Sequence, residues 1–332
     1  MAAIFASCNK DNGINNISVI ATPYTLYFCD TNGALWNTND GVYFKPSIFP
    51  SDGVYSHAIM AEDSQNLIWI KDFTVFLSTN NGQNFNPTYS YADPSLDQTQ
   101  IIYMRDWKRL YIASAINGVG NSGIVYNWSN GRKPAWRNDT DMIGPAAGTF
   151  HVSSYTQLKN GSLIAFDKTS GIVFIKNAVN ATWNETVPSA TGPSLPSGGN
   201  YTLGHYNNTL VAVDRSGVNG AWYSTNLGAS WQQYTGLPNR PLYVASSPFD
   251  AALLVGTDSA GVFTLQTGVF AGSSSGLDNN VVVRGVAAKE NIFVNGLTEQ
   301  FIYIATNKGI FRSQDLGQNW VLVRPGNYYN IY

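Results

Sequence analysis

The sequence predicts an all-β chain folded as a ring of repeated sheets, and three observations carry that prediction. Charged residues supply only 12 % of the chain while apolar residues supply 44 % and aromatics 13 %, and such a low charge content suits strands packed on both faces. The 31 glycines, with abundant Asn, Ser and Thr, suit many short strands joined by tight turns, because Gly and Asn accept the positive φ that hairpins demand. Above all, one pattern recurs seven times.

Each copy opens with a short apolar run ending in a small or acidic residue: residues 25–30, 67–72, 109–114, 162–167, 209–214, 253–258 and 301–306. A turn follows, and then a second apolar run beginning at Gly33, Thr74, Gly123, Gly171, Gly220, Gly261 or Gly309. The copies are spaced by about 46 residues, the length of one four-stranded blade, which is too long for a leucine-rich repeat. No helical periodicity accompanies them. The expectation is therefore a single domain over 1–332, a seven-bladed β-propeller of four-stranded antiparallel blades. The blades fall near 10–50, 51–92, 93–143, 144–194, 195–237, 238–276 and 277–332. Both chain ends look like strands, so a terminus is expected to close the ring by completing the last blade, with residues 1–9 as one candidate; closure removes exposed sheet edges.

The second run leads into a turn motif: Ser78-Thr-Asn80-Asn-Gly82-Gln-Asn-Phe85, Ser224-Thr-Asn226-Leu-Gly228-Ala-Ser-Trp231 and Ser313-Gln-Asp315-Leu-Gly317-Gln-Asn-Trp320. Asn37-Thr-Asn39-Asp-Gly41-Val-Tyr-Phe44 is a near copy. These segments resemble the Asp-box, Ser-x-Asp-x-Gly-x-x-Trp. Its chemistry is structural: the Ser and Asp or Asn side chains bond to the turn backbone, Gly takes a conformation that other residues resist, and the aromatic packs between sheets. In the propellers that carry it, this turn joins the third and fourth strands and lies opposite the usual binding face.

Function is therefore expected on the other face, among the turns between second and third strands and the linkers between blades. Those turns carry Asp30, Asp72, Asp167, Asp214, Asp258 and Asn307; they are acceptors for hydroxyl groups in one reading and simple turn openers in the other. Inner strands expected to begin near Tyr55, Ile101, Phe150, Tyr201, Leu242 and Val283 bring His57, His151, Tyr201, Tyr243 and Arg284 to the channel mouth. Tyr89 and Tyr91 lie in a long linker, where recognition residues are often found, and with Trp128 and Tyr234 they are candidates to stack on a sugar ring. The ligand-binding set is thus His57, Tyr89, Tyr91, His151, Tyr201, Asp214, Tyr243 and Arg284, with no catalytic residue assigned.

A formal net charge of −2 without a basic run argues against nucleic acid as a partner. No segment is apolar for long enough to span or insert into a membrane, and the start lacks a signal-peptide pattern; a soluble protein is expected. Cys8 and Cys29 cannot supply a disulfide framework and are expected as thiols. The three histidines, His57, His151 and His205, are scattered, so neither a metal nor another cofactor is expected.

Asp-box propellers include sialidases, but those gather three arginines around the substrate carboxylate, and nine scattered arginines with seven repeats depart from that pattern. The chain also resembles one half of the xyloglucan-hydrolysing enzymes, whose two propellers hold substrate between them; with one propeller, the paired carboxylates of inverting hydrolysis lack their partner domain. The remaining resemblance is to propeller lectins. It implies a carbohydrate-binding protein whose partners are glycans or glycoproteins, several weak sites acting together. A glycoside hydrolase and a protein-binding scaffold are the alternatives. Neither the sugar nor the oligomeric state is legible.

Overall fold

The computed structural model describes residues 19–21, 25–41, 43–46, 56–61, 66–71, 74–80, 84–90, 96–104, 106–107, 109–114, 124–127, 135–138, 152–168, 170–179, 181–186, 188, 192–293 and 296–331. They form a β-propeller of antiparallel sheets. Among them, the one helical turn is a 3-10 turn at Pro248–Asp250.

The apolar runs become the second strands: Leu26–Asp30, Leu67–Lys71, Arg109–Ser114, Leu163–Asp167, Thr209–Asp214, Leu254–Thr257 and Thr298–Thr306. Leu67–Lys71 and Leu163–Asp167 are buried along their whole length, because each sheet is covered on both faces by its neighbours; this is why the runs are continuous rather than alternating. The outermost strands Asn184–Glu185 and Gln232–Gln233 are exposed and polar. First strands of neighbouring sheets touch one another, which makes them the inner edge.

Consecutive sheets share cores. Ile164, Phe166 and Val173 of the fourth sheet pack on Tyr201, Leu203, Leu210 and Trp231 of the fifth. Leu254 and Val262 of the sixth meet Ile302, Ile304, Phe311 and Trp320 of the last, and Phe301, Tyr303 and Ile310 of the last meet Leu26 and Phe28 of the first.

Six sheets, not seven, have the expected four strands. The last is five-stranded: Val283–Phe293, Thr298–Thr306, Gly309–Ser313 and Val321–Pro325, with Val19–Ala21 added along the first of these. The terminal exchange also differs from expectation. The C-terminal strand Tyr328–Ile331 pairs with Leu26–Asp30 and is the inner strand of the first sheet, not a part of the last. Residues 1–9 and Cys8 lie outside the described residues. Cys29 is buried, and its Sγ donates to the Asp30 carbonyl at 3.5 Å.

The turns between third and fourth strands are locked by side chains. Ser313 Oγ donates to Asp315 Oδ1 (2.7 Å) and accepts from Gly317 N (2.9 Å), while Asp315 Oδ1 accepts from Gln318 N and Asn319 N. Ser224, Asn226, Gly228 and Ser230 repeat the pattern, as do Ser78, Asn80 and Asn84; Gly82 lies outside the described residues. In the first sheet the motif is out of step with the sequence reading. Thr38, not Asn37, donates to Asp40, not Asn39, and Gly41 N and Tyr43 N complete the turn. Register explains this, since Leu26 pairs with Thr38 as Ile302 pairs with Ser313; the turn is one residue shorter and reaches Gly41 sooner.

Leu316 and Gly317 both have positive φ, 58° and 88°, and a Cβ on Gly317 would come within 2.7 Å of Leu254 of the preceding sheet. Glycine is thus required by both backbone and neighbour. Trp320 (3 % exposed) and Trp231 (1 % exposed) wedge between sheets, and Phe44 and Phe85 pack on Phe28 and Trp69 at centroid distances of 5.5 and 5.3 Å.

The Asp315 carboxyl is pulled down to about 2: desolvation raises it, but bonds from Asn319, Ser313 and Gln318 outweigh that. A depressed carboxyl contributes stability that is full above its unfolded value near 4 and is lost as pH falls through about 2. Asp315→Asn is expected to flatten the stability profile between about pH 4 and 2, measured by urea unfolding at each pH; an unchanged slope would remove Asp315 as its source.

Candidate functional site

In every fully described sheet the first-to-second and third-to-fourth turns share one end. Gln157 pairs with Leu163 and Leu163 with Lys176, and Ser162 Oγ of the one turn donates to Asn177 Oδ1 of the other at 2.9 Å. The opposite end carries the second-to-third turns and the linkers, as shown where Arg215 N bonds Asn200 O and Asp258 N bonds Pro241 O.

On that linker end the acceptors are spent on their own turns and on the adjoining linkers. Asp214 is fully buried; Oδ1 accepts from Asn200 N and Ser216 N, and Oδ2 from Ser216 Oγ and Asn219 N, at 2.7–3.1 Å. Burial opposes its ionisation, yet these bonds hold its carboxyl below the usual range. Asp30 accepts from Asn32 N, Ala34 N and Trp36 Nε1, and Asn307 Oδ1 from Val282 N. Asp72 lies outside the described residues. The turn-opening reading accounts for these groups.

What distinguishes this end is an irregularity of the inner strands. In the second, fourth, sixth and last sheets the ladder skips one residue after the strand's first: Ser56 and Ala58 pair with Lys71 and Ile70, and likewise Val152 and Ser154, Leu242 and Val244, Val283 and Gly285. In the first sheet Tyr328 and Asn330 pair with Asp30 and Cys29. The bulged residues are His57, Ser153, Tyr243, Arg284 and Tyr329. The fifth sheet is regular, and the third skips from Asp97 to Ile101. A bulge takes its residue out of the ladder register and re-aims the side chain, and here it recurs at the second position of the inner strand in five sheets.

Of the eight proposed ligand residues, three are therefore bulge residues: His57, Tyr243 and Arg284. Tyr243 is 44 % exposed. Arg284 Nη1 donates to Asn327 Oδ1 (2.8 Å) and Tyr328 O (2.9 Å). Tyr201, by contrast, is buried, its hydroxyl donating to Pro196 O at 3.1 Å; desolvation, with the charge of Asp214, pushes that phenol up. The side chains of His57 and Tyr89 lie outside the described residues, as do His151, Tyr91 and Trp128 entirely. Tyr234 is a core residue packed on Tyr223 and Phe270 at 4.5 and 5.3 Å, so its ring is not offered to a ligand.

The opposite end holds features that the sequence reading did not single out. A solvent-open cleft of about 520 Å³ runs between the 3-10 turn of the sixth sheet and the long first hairpin of the last, lined by Ala251, Glu290, Thr298, Glu299, Gln300, Gln314 and Leu316. Beside it, Lys159 Nζ and His205 Nε2 approach Asp250 to 3.4 and 3.7 Å, joining three sheets. Phe249 and Asp250 both have left-handed backbones, φ 56° and 53°, a strained pair. The sequence signal for the cleft was the surplus length before residue 301, which extends the inner strand to eleven residues. Among the described residues no cluster of His, Cys, Asp and Glu suits a metal ion, and no helix is long and apolar enough to cross a membrane.

No family model matches the chain. A xyloglucanase from Paenibacillus sp is 26 % identical over 194 residues, 56 % of this chain but only 16 % of that protein's length. Among solved structures, YCF48 bound to D1 peptide superposes with a TM-score of 0.54 at 11 % identity, covering 84 % of this chain and 94 % of that one. The computationally designed Ika8 protein gives 0.55 at 13 % identity, covering 92 % and 86 %. Such identities speak for fold alone: the chain is a β-propeller with xyloglucanase-like and YCF48-like neighbours.

Proposed function

We propose that this propeller is a carbohydrate-binding protein, a lectin, that takes its ligand on the linker end at the ring of bulged inner-strand residues. In this reading the sheets are seven blades of one closed ring, and the locked turns are Asp-boxes on the far face. The observation that carries the proposal is the recurrence of one bulge at one strand position in five sheets. Bulges interrupt pairing and are retained where a side chain must be re-aimed. Tyrosine and arginine re-aimed in this way offer a ring and donors to a sugar, and repetition around the ring favours multivalent engagement. The partial likeness to a xyloglucanase is in keeping with a glycan ligand.

A hydrolytic reading draws on Glu290 and Glu299 in the far cleft, since glycosidases work with paired carboxyl groups.

Binding to a broad glycan array, competed by free sugar, tests the proposal. Tyr243→Ala is expected to weaken binding by about tenfold, ~1.4 kcal/mol. A blank array without agglutination would sink the lectin in favour of a protein-binding scaffold. Release of reducing ends, lost in Glu290→Gln and Glu299→Gln, would move the assignment to a hydrolase.

A further inference from the structure

The inner strands of the sixth, last and first sheets lie side by side, and each is bulged at its second residue. Tyr243, Arg284 and Tyr329 thus hold the same position on three adjoining inner strands, with the arginine on the middle one. Arg284 is half-buried, and its position is set from one side only. Nη1 gives its two hydrogens to Asn327 Oδ1 and the Tyr328 carbonyl, both neutral. Among the described residues no carboxylate lies within ion-pair distance of it; the ion pairs found involve Lys159, His205 and Arg240. A guanidinium held by neutral acceptors keeps its charge uncompensated among the described residues, where its Nε and Nη2 hydrogens remain along one edge. That edge meets a carboxylate with two parallel hydrogen bonds.

We infer that the ligand at this mouth carries a carboxylate, as a sugar acid of the uronic type does, with the carboxylate on the Nε/Nη2 edge of Arg284 and the sugar ring against Tyr243. The inference rests on the carbohydrate reading and narrows it. A neutral sugar leaves the charge of Arg284 unanswered, whereas a uronate answers it at a site that excludes part of the solvent, where charge-assisted bonds count for more than in open water. Tyr243, large and exposed on the adjoining strand, supplies an apolar face of ring size.

The test compares the whole protein's affinity, by calorimetry, for oligogalacturonate and for the methyl ester of the same oligomer, which removes the charge and little else. The acid is expected to bind ~10- to 100-fold tighter, the range of charged hydrogen bonds, with the advantage shrinking as salt rises. Arg284→Gln should abolish the difference between acid and ester, and Arg284→Lys should retain only part of it. Tyr243→Ala should weaken both ligands while keeping their ratio. Because Arg284 also holds the C-terminal strand, thermal unfolding of each variant is recorded; if Arg284→Gln does not fold, the wild-type ratio and its survival in Tyr243→Ala decide. Equal binding of acid and ester, or binding of neutral oligosaccharides indifferent to Arg284→Gln, overturns the inference and leaves the lectin standing. Binding to no sugar at all overturns both. Capture of peptides through their C-terminal carboxylate, with no response to sugar acids, also overturns it.

Discussion

Deleting residues 328–332 is expected to abolish the cooperative unfolding transition, the largest effect available from so short a change. The strand Tyr328–Ile331 is the inner strand of a sheet whose other strands come from the far end of the chain. Tyr328 and Ile331 are 3 % and 5 % exposed, and burial of two such side chains stabilises by about 3–6 kcal/mol. The Tyr328 hydroxyl accepts from Arg324 Nε at 2.6 Å, its carbonyl accepts from Arg284 Nη1, and its ring packs on Phe28 at 6.3 Å. Without the strand, the backbone edge of Leu26–Asp30 and the fully buried Phe28 lose their cover. Against a typical total of about 5–15 kcal/mol, that loss is a large share of the stability. Circular dichroism melting reads the result, and a synthetic peptide of residues 326–332 should restore a transition. A sharp transition in the truncated chain without peptide would show that the first sheet stands on three strands.

Trp320→Ala is expected to cost about 3–5 kcal/mol, the usual range for a large aromatic lost from a core. The ring fills the space between the last two sheets with Leu254, Val262 and Phe311. Its Nε1 donates to the buried Ser273 carbonyl at 2.8 Å and its backbone N to Ser275 O at 2.8 Å. Truncation leaves a cavity and an orphaned acceptor together. The equivalent Trp231→Ala should behave alike, since Trp231 N bonds Pro193 O of the preceding linker and the ring sits in the neighbouring core. Leu322→Ala, on an exposed position of the last sheet's outer strand, should stay within about 0.5 kcal/mol. Equal losses at Trp320 and Leu322 in urea titrations would refute the wedge role.

Much of this architecture was legible because it is written locally. Continuous apolar runs such as Leu-Ile-Ala-Phe announce strands covered on both faces, and Ser224, Asn226 and Gly228 close their turn with bonds no further than four residues apart. The first sheet shows the limit of that reading. Asn37 and Asn39 fit the pattern of residue types, yet pairing of Leu26 with Thr38 sets the true register, and a shift of one residue exchanges the faces of a strand. At the candidate site the same holds: Tyr243 and Arg284 were reachable from the expected strand starts, while Tyr201, one position earlier in its strand, is buried.

The sequence by itself determined the strand-rich class, the repeat and the chemistry of the turns, all of which depend on residues within a few positions of one another. Tertiary structure decided the rest. Which sheet receives the C-terminal strand, why Val19–Ala21 lies along the long hairpin, where the inner ladders skip a residue and how Glu290 and Gln314 come to line one cleft all depend on partners far apart in the chain. The physical reason is that hydrogen-bond ladders between strands are indifferent to side-chain identity, so only the packing of whole sheets against one another selects among the registers that the local pattern permits.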